Sequence, residues 1–269
     1  MHLRATFGPN GTYGVFVRSD TNVEDLPGFT GAGLNRTVPN VVGEEAILSA
    51  IREVWASPFT DRAYRWRQGH MSDPEWVFPA VLIQRAFPSE KSGVMVTSDV
   101  EGNRAGFVTI AVNEGIGGVV DGQPAEVLLV NALDGRTRLL GEAAQRERRE
   151  LDPAGGLRQV PANRSPAVLA AWEIAALLQL ARRAEVDFPA LQNAQGANFP
   201  ADIEFGVAQD RVALLQIRPF LESRAARTSQ TLAAMDAAGT VPSETRVDLD
   251  VVPGLARTVR SESRNASGP

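Results

Sequence analysis

The chain contains no cysteine. That excludes disulfides and thiolate chemistry and accords with a cytosolic protein. Lysine is nearly missing as well: of 27 basic side chains, Lys91 alone is a lysine. Every other cationic contact must come from a guanidinium, whose planar fork suits phosphate. No apolar run approaches the ~20 residues of a membrane helix. The opening MHLRATFGPNGTYG lacks the apolar stretch of a signal peptide, so a cytoplasmic location with no membrane contact is expected. No GxxxxGK[ST] phosphate loop occurs, and there is no internal repeat. The net charge of −5 disfavours wholesale nucleic-acid binding while leaving room for a local basic cleft.

What is present is the composition of a globular protein: 269 residues, 43% hydrophobic and 22% charged. This length holds one large or two ordinary domains. YGVFVR (13–18) reads as a short strand ending at Arg18. Residues 19–42 read as loop, interrupted by glycines and by Pro27 and Pro39. Residues 44–55 carry Ile47, Ala50, Ile51, Val54 and Trp55 at helical spacing, with acids at the start. A second helix is expected over 59–68. Strands are expected over 78–85, 93–98, 106–112, 126–130 and 136–141, so 79–141 reads as a mostly antiparallel sheet. After a polar stretch, 142–164, Ser165 and Pro166 occupy favoured N-cap and N1 positions for a helix running to about residue 185. Its expected apolar stripe is Val168, Leu169, Trp172, Ala176 and Leu180. Beyond 222 the chain is polar, with a helix expected over 228–238 and a disordered tail, RTVRSESRNASGP.

Two distant segments carry the chemistry. DIEFGVAQDRVALLQIRP (202–219) reads as a β-hairpin. Asp202 and Glu204 share one face of the first arm, and Gln216 and Arg218 share one face of the second. Register decides whether these faces coincide. A three-residue loop, 209–211, sets Glu204 opposite Gln216 and Asp202 opposite Arg218. A two-residue turn pairs Glu204 with Leu215 and separates the faces. We expect the three-residue loop. The shared face would then offer hard oxygen ligands for Mg²⁺ beside a guanidinium fork for phosphate. The alternative is an edge hairpin with a solvated face and an Asp–Arg cross-strand pair. The other segment, RSDTNVEDLPGFTGAG (18–33), sets Arg18 before a Gly-rich loop in which backbone N–H groups can approach phosphate; Thr37 adds a hydroxyl. Lys91, next to Ser92 and Gly93, reads as a solvated turn lysine.

These segments resemble the N-terminal nucleotide-binding domain of the pyruvate phosphate dikinase and phosphoenolpyruvate synthase family, to which rifampicin phosphotransferases and glucan water dikinases are related. VLIQR (81–85), KSGVMVTSD (91–99) and NEGIGGVVDGQ (113–123) match in order between them, and the resemblance covers roughly 14–222. It implies an α+β, ATP-grasp-like fold: a mostly antiparallel central sheet flanked by helices, lacking the N-terminal part of the first lobe. It implies a partial N-terminal lobe over 1–78, an ATP-grasp sheet and metal-binding hairpin over 79–222, and a linker or disordered tail over 223–269. The cofactors implied are ATP and Mg²⁺. Arg18 would contact the transferred phosphates, Gly31 and Thr37 would lie in the phosphate-side loop, and Gln84 beside the adenine. Glu204 and Gln216 would hold Mg²⁺, Asp202 would support them, and Arg218 would contact phosphate.

The resemblance further implies phosphoryl transfer to a histidine on a separate swivelling domain, which serves an acceptor domain. The chain departs from that pattern. Only seventeen residues precede Arg18 and none is the family's phosphate-binding lysine. The only histidines, His2 and His70, do not sit in a phosphohistidine motif, and His70 reads as an ordinary surface residue. No acceptor barrel follows. The expectation is therefore a piece of a larger phosphotransferase, with a non-catalytic, degenerate nucleotide- or partner-binding module as the alternative.

Overall fold

The computed structural model describes residues 14–22, 25–26, 29–30, 35–71, 73–102, 104–188 and 199–220. All belong to one compact unit, Met1–Glu222; the second unit, Ser223–Pro269, lies outside them, as do Gly31, His2 and the helix and tail expected beyond 222. The chain is an α+β protein with mostly antiparallel sheets.

In order, the elements are β1 (Val15–Thr21), β2 (Asp25–Leu26), β3 (Phe29–Thr30), β4 (Thr37–Val41), α1 (Glu44–Ala56), a 3-10 turn (Ser57–Phe59) and α2 (Asp61–His70). Next come β5 (Pro79–Arg85), β6 (Lys91–Val96), β7 (Phe107–Glu114), β8 (Glu126–Asn131), β9 (Thr137–Gly141), β10 (Glu147–Leu151) and β11 (Leu157–Pro161). Helix α3 (Ala171–Asp187) and the hairpin strands β12 (Ala201–Ala208) and β13 (Arg211–Pro219) complete the described chain.

A first sheet has the order β4–β1–β5. The period-2 alternation of β1 buries Val15 and Val17 against Ile47, Ala50 and Val54 of α1. Phe16 and Arg18 therefore face away from the helix. Arg18 lies in mid-strand, because β1 runs on to Thr21. Pro39 stands inside β4, contrary to its reading as a breaker. β4 is an edge strand, where a missing N–H costs no ladder bond, and a register shift between Val15 and Val17 takes up the irregularity. Strand β5 pairs with β1 along its length, Val15 opposite Arg85 and Thr21 opposite Pro79, and so joins the first sheet rather than the central one.

The larger sheet has six antiparallel strands in the order β13–β12–β6–β7–β8–β9. Its core joins Met95, Ile110, Val112, Ile203 and Phe205 to Leu177, Leu178, Ala181 and Ala184 of α3. That stripe differs from the expected one: Trp172 is 43% exposed, because the helix begins at Ala171 rather than near Ser165. The Ser-Pro signal is overridden by three buried carboxylates. Glu114 accepts the Asn163 and Arg164 amides (2.7 and 2.9 Å), Glu126 those of Val168 and Leu169 (2.8 and 3.2 Å), and Glu173 that of Ala170 (2.6 Å). With their amides satisfied outside a helix, Val168 and Leu169 enter the core as irregular chain. Lys91 opens β6 and donates to both carboxylate oxygens of Glu173 at 2.7 Å, so it is an ion-paired strand residue, not a solvated one.

The stretch 142–164, read from sequence as merely polar, contains the separate antiparallel pair β10–β11. Its turn signal, DPAGG (152–156), is the cue that the sequence offers.

Candidate functional site

The hairpin β12–β13 turns on two residues, Gln209 and Asp210, both with positive φ (51° and 55°). This is the twist-matched I′ type of turn, and it overturns the three-residue loop expected from sequence. Taken alone it would set Glu204 against Leu215. A bulge at Leu215 restores the register: Phe205 pairs with Leu214, while Glu204 pairs with Gln216 and Asp202 with Arg218. The expected pairing is present, by a different route.

The bulge also joins the two sheets. The Leu215 carbonyl accepts from Gln84 Nε2 at 3.2 Å, which ties β13 to β5. Gln84 Oε1 in turn accepts from Arg18 Nη1 at 3.2 Å. Arg18 Nη2 donates to Glu204 Oε2 (3.4 Å) and to Gln216 Oε1. Four residues from β1, β5, β12 and β13 thus meet, with the guanidinium between the carboxylate and the amide oxygen. Arg18 and Glu204 are about one-fifth exposed, buried enough to be sheltered and open enough for a ligand to reach.

Arg218 Nε donates to Asp202 Oδ2 at 2.8 Å, so the alternative Asp–Arg cross-strand pair exists. Asp202 Oδ1 is buried and has no hydrogen-bond partner. It lies two residues from Glu204 on the same strand, hence on the same face. Glu204 and Gln216 supply two oxygens converging on one cationic centre, with an unsatisfied carboxylate oxygen nearby. This is the donor chemistry a divalent cation such as Mg²⁺ takes, the remaining positions going to water and phosphate. Among the described residues no group of three or more His, Asp or Glu side chains converges as a metal cage.

Arg18, Gln84 and Glu204 border a cleft of about 330 Å³ between the two sheets. Phe16, Arg18, Thr37 and Gln84 line it from the first sheet, Ser92, Gly93 and Glu204 from the second. Thr37 is exposed and pairs directly across from Arg18. Arg149 of β10 and Asp121 of the Gly-rich segment also line it, and neither stands out in the sequence. His70 ends α2, and its side chain is outside the described residues.

Residues 2–238 match the family model for the AMP/ATP-binding domain of pyruvate phosphate dikinase. A rifampicin phosphotransferase from Streptomyces sviceus is 36% identical over 213 residues, covering 76% of this chain and 23% of the relative. The rifampicin phosphotransferase of Bacillus subtilis is 30% identical over 79% of this chain and 24% of its own length. A probable phosphoenolpyruvate synthase from Methanothermobacter thermautotrophicus is 32% identical over 76% of this chain and 29% of the relative. The chain thus spans about a quarter of the length of these curated relatives. On the match to 2–238, the chain belongs to the pyruvate phosphate dikinase AMP/ATP-binding domain family.

Proposed function

We propose that the cleft binds ATP with Mg²⁺ between the two sheets, as the two lobes of an ATP-grasp, and supports phosphoryl transfer to a histidine on a separate domain. The observation that carries this reading is the convergence of Arg18, Glu204 and Gln216 from opposite sides of the cleft. Glu204 and Gln216 would hold the cation with Asp202 in support, and the cation would neutralise charge on the phosphate oxygens. With the cation in place, Arg18 is released to donate its fork to the transferred phosphoryl group, and Arg218 supports the same phosphates. Thr37 contributes its hydroxyl from the first sheet. Gly31, outside the described residues, is assigned to the phosphate-side loop by resemblance alone, and Gln84 to the adenine edge.

Phosphoryl transfer asks the protein for position and charge neutralisation more than for covalent chemistry. A neutral imidazole already offers a lone pair, so no general base from this chain is required. The nucleophile attacks phosphorus and the leaving phosphate oxygen keeps the bonding pair. The names of the relatives divide between a drug acceptor and phosphoenolpyruvate synthesis, so the donor half-reaction is what this chain is proposed to share with them.

The test is transfer from radiolabelled ATP to a family histidine domain added in trans. An acid-labile label on that domain, abolished by Glu204→Ala, is expected. Bound ATP with no labelled histidine would instead select the second reading, a degenerate nucleotide-binding module; the occupation of the cation seat by Arg18 itself is what favours that reading.

A further inference from the structure

The hairpin β10–β11 belongs to neither large sheet, yet it is fastened to both. On the first-sheet side, the buried Asn40 of β4 donates Nδ2 to the carbonyls of Asp152 (2.8 Å) and Gly156 (2.7 Å). The Gly156 amide returns a bond to the Asn40 carbonyl at 2.8 Å. On the other side, just beyond β7, the Ile116 amide donates to the Arg149 carbonyl at 2.9 Å. Gly115 makes that approach possible: its φ is +78°, and a Cβ there would lie 2.5 Å from the Arg149 carbonyl oxygen. The hairpin is thus held from both sides, with the Arg149 carbonyl fixed by Ile116, while the Arg149 guanidinium lines the same cleft as Arg18. That guanidinium is ion-paired with Asp121, whose side chain is about half exposed, whereas Arg149 is 27% exposed.

We infer that Arg149 is a second phosphate-binding cation of the cleft, with Asp121 its counter-ion until a nucleotide arrives. The inference rests on the ATP reading above and deepens it. A nucleoside triphosphate carries more negative charge than one divalent cation neutralises, so further donors are needed. Arg18, once released from Glu204 and Gln216, is a single guanidinium whose other amino group bonds Gln84. Arg149 has a partner that is cheap to exchange, because half-exposed ion pairs contribute little. Its planar fork matches phosphate. Its backbone is already fixed, so little ordering is left to pay for on binding. Asp121 and Arg149 come from separate segments, and both side chains lie close to Gly117.

The experiment titrates MgATP calorimetrically into the wild-type chain, Arg149→Gln, Arg149→Lys and Asp121→Asn. Arg149→Gln is expected to weaken MgATP about tenfold or more, the loss of a charge-assisted contact. Arg149→Lys should fall between, since it keeps the charge and loses the fork. Asp121→Asn should bind as tightly as wild type or tighter, because the competing counter-ion is gone. A purely structural ion pair predicts the opposite pattern, with Arg149→Gln and Asp121→Asn weakened alike, and that result would overturn the assignment. So would wild-type affinity in Arg149→Gln. If Arg149→Gln fails to fold, the direction of the Asp121→Asn change still decides. A wild-type chain that binds no MgATP sinks the ATP reading itself, an outcome distinct from unchanged binding in the variants.

Discussion

Arg18 lies between Glu204 and Gln216 and donates to both, so it neutralises that carboxylate. The residues themselves are legible in sequence, because Asp202, Glu204, Gln216 and Arg218 fall at strand spacing and Arg18 follows an apolar run. What is not legible is their partners. Lys91 reads as solvated because its counter-ion, Glu173, is distant in sequence. Arg149 is hidden in a polar stretch whose strands have no apolar alternation strong enough to read. One further charged residue governs stability rather than function. The Arg104 guanidinium, then the Gly102 amide, hold the Asp99 carboxyl down to about 2 against the opposing pull of burial. The unfolded chain titrates at about 3.9. Asp99 therefore stabilises the fold fully above about pH 4, and this stabilisation is lost as pH falls toward 2. Asp99→Asn should lower the urea midpoint at pH 6, and the gap from wild type should narrow steadily between about pH 4 and about pH 2.5. A gap independent of pH would refute this.

At the scale of the element, the hairpin β12–β13 decides whether there is a site at all. The strands and the facing pairs are readable from the alternation, but the loop is not. Gln-Asp is not a strong I′ turn sequence, and no pattern in sequence announces the bulge at Leu215 that corrects the register. Two changes test this. Deleting Leu215 should leave a regular hairpin with Gln216 still opposite Glu204, and MgATP binding should persist while circular dichroism keeps its strand signal. Lost binding in that deletion would show that the facing pair is not enough and that the bond from Gln84 to the Leu215 carbonyl is needed as well. The double substitution Gln209→Asn with Asp210→Gly installs the favoured Asn-Gly turn. It should stabilise the hairpin by about 0.5–1 kcal/mol, since both positions require positive φ; urea denaturation reads the change. The late start of α3 teaches the same lesson: a good local N-cap signal at Ser165 loses to buried Glu114 and Glu126, which satisfy the amides of Asn163, Arg164, Val168 and Leu169 from a distance.

At the scale of the molecule, two antiparallel sheets face each other across the cleft, with Gln84 bonded to the Leu215 carbonyl and β10–β11 bridging them through Asn40 and Ile116. The sheet-rich character and most strand positions follow from apolar alternation. The transfer of β5 to the first sheet does not, because strand order is set by long-range pairing that no local pattern records. The family resemblance agrees with the match over 2–238. The proposed function requires a cation shared by Glu204 and a nucleotide inside this cleft. Calorimetric titration of ATP, with Mg²⁺ and with EDTA, into the wild-type chain and Glu204→Ala tests it most directly. Mg²⁺ is expected to tighten ATP about tenfold or more in wild type and to make no difference in Glu204→Ala. Equal Mg²⁺ dependence in both chains, or none in wild type, would contradict it.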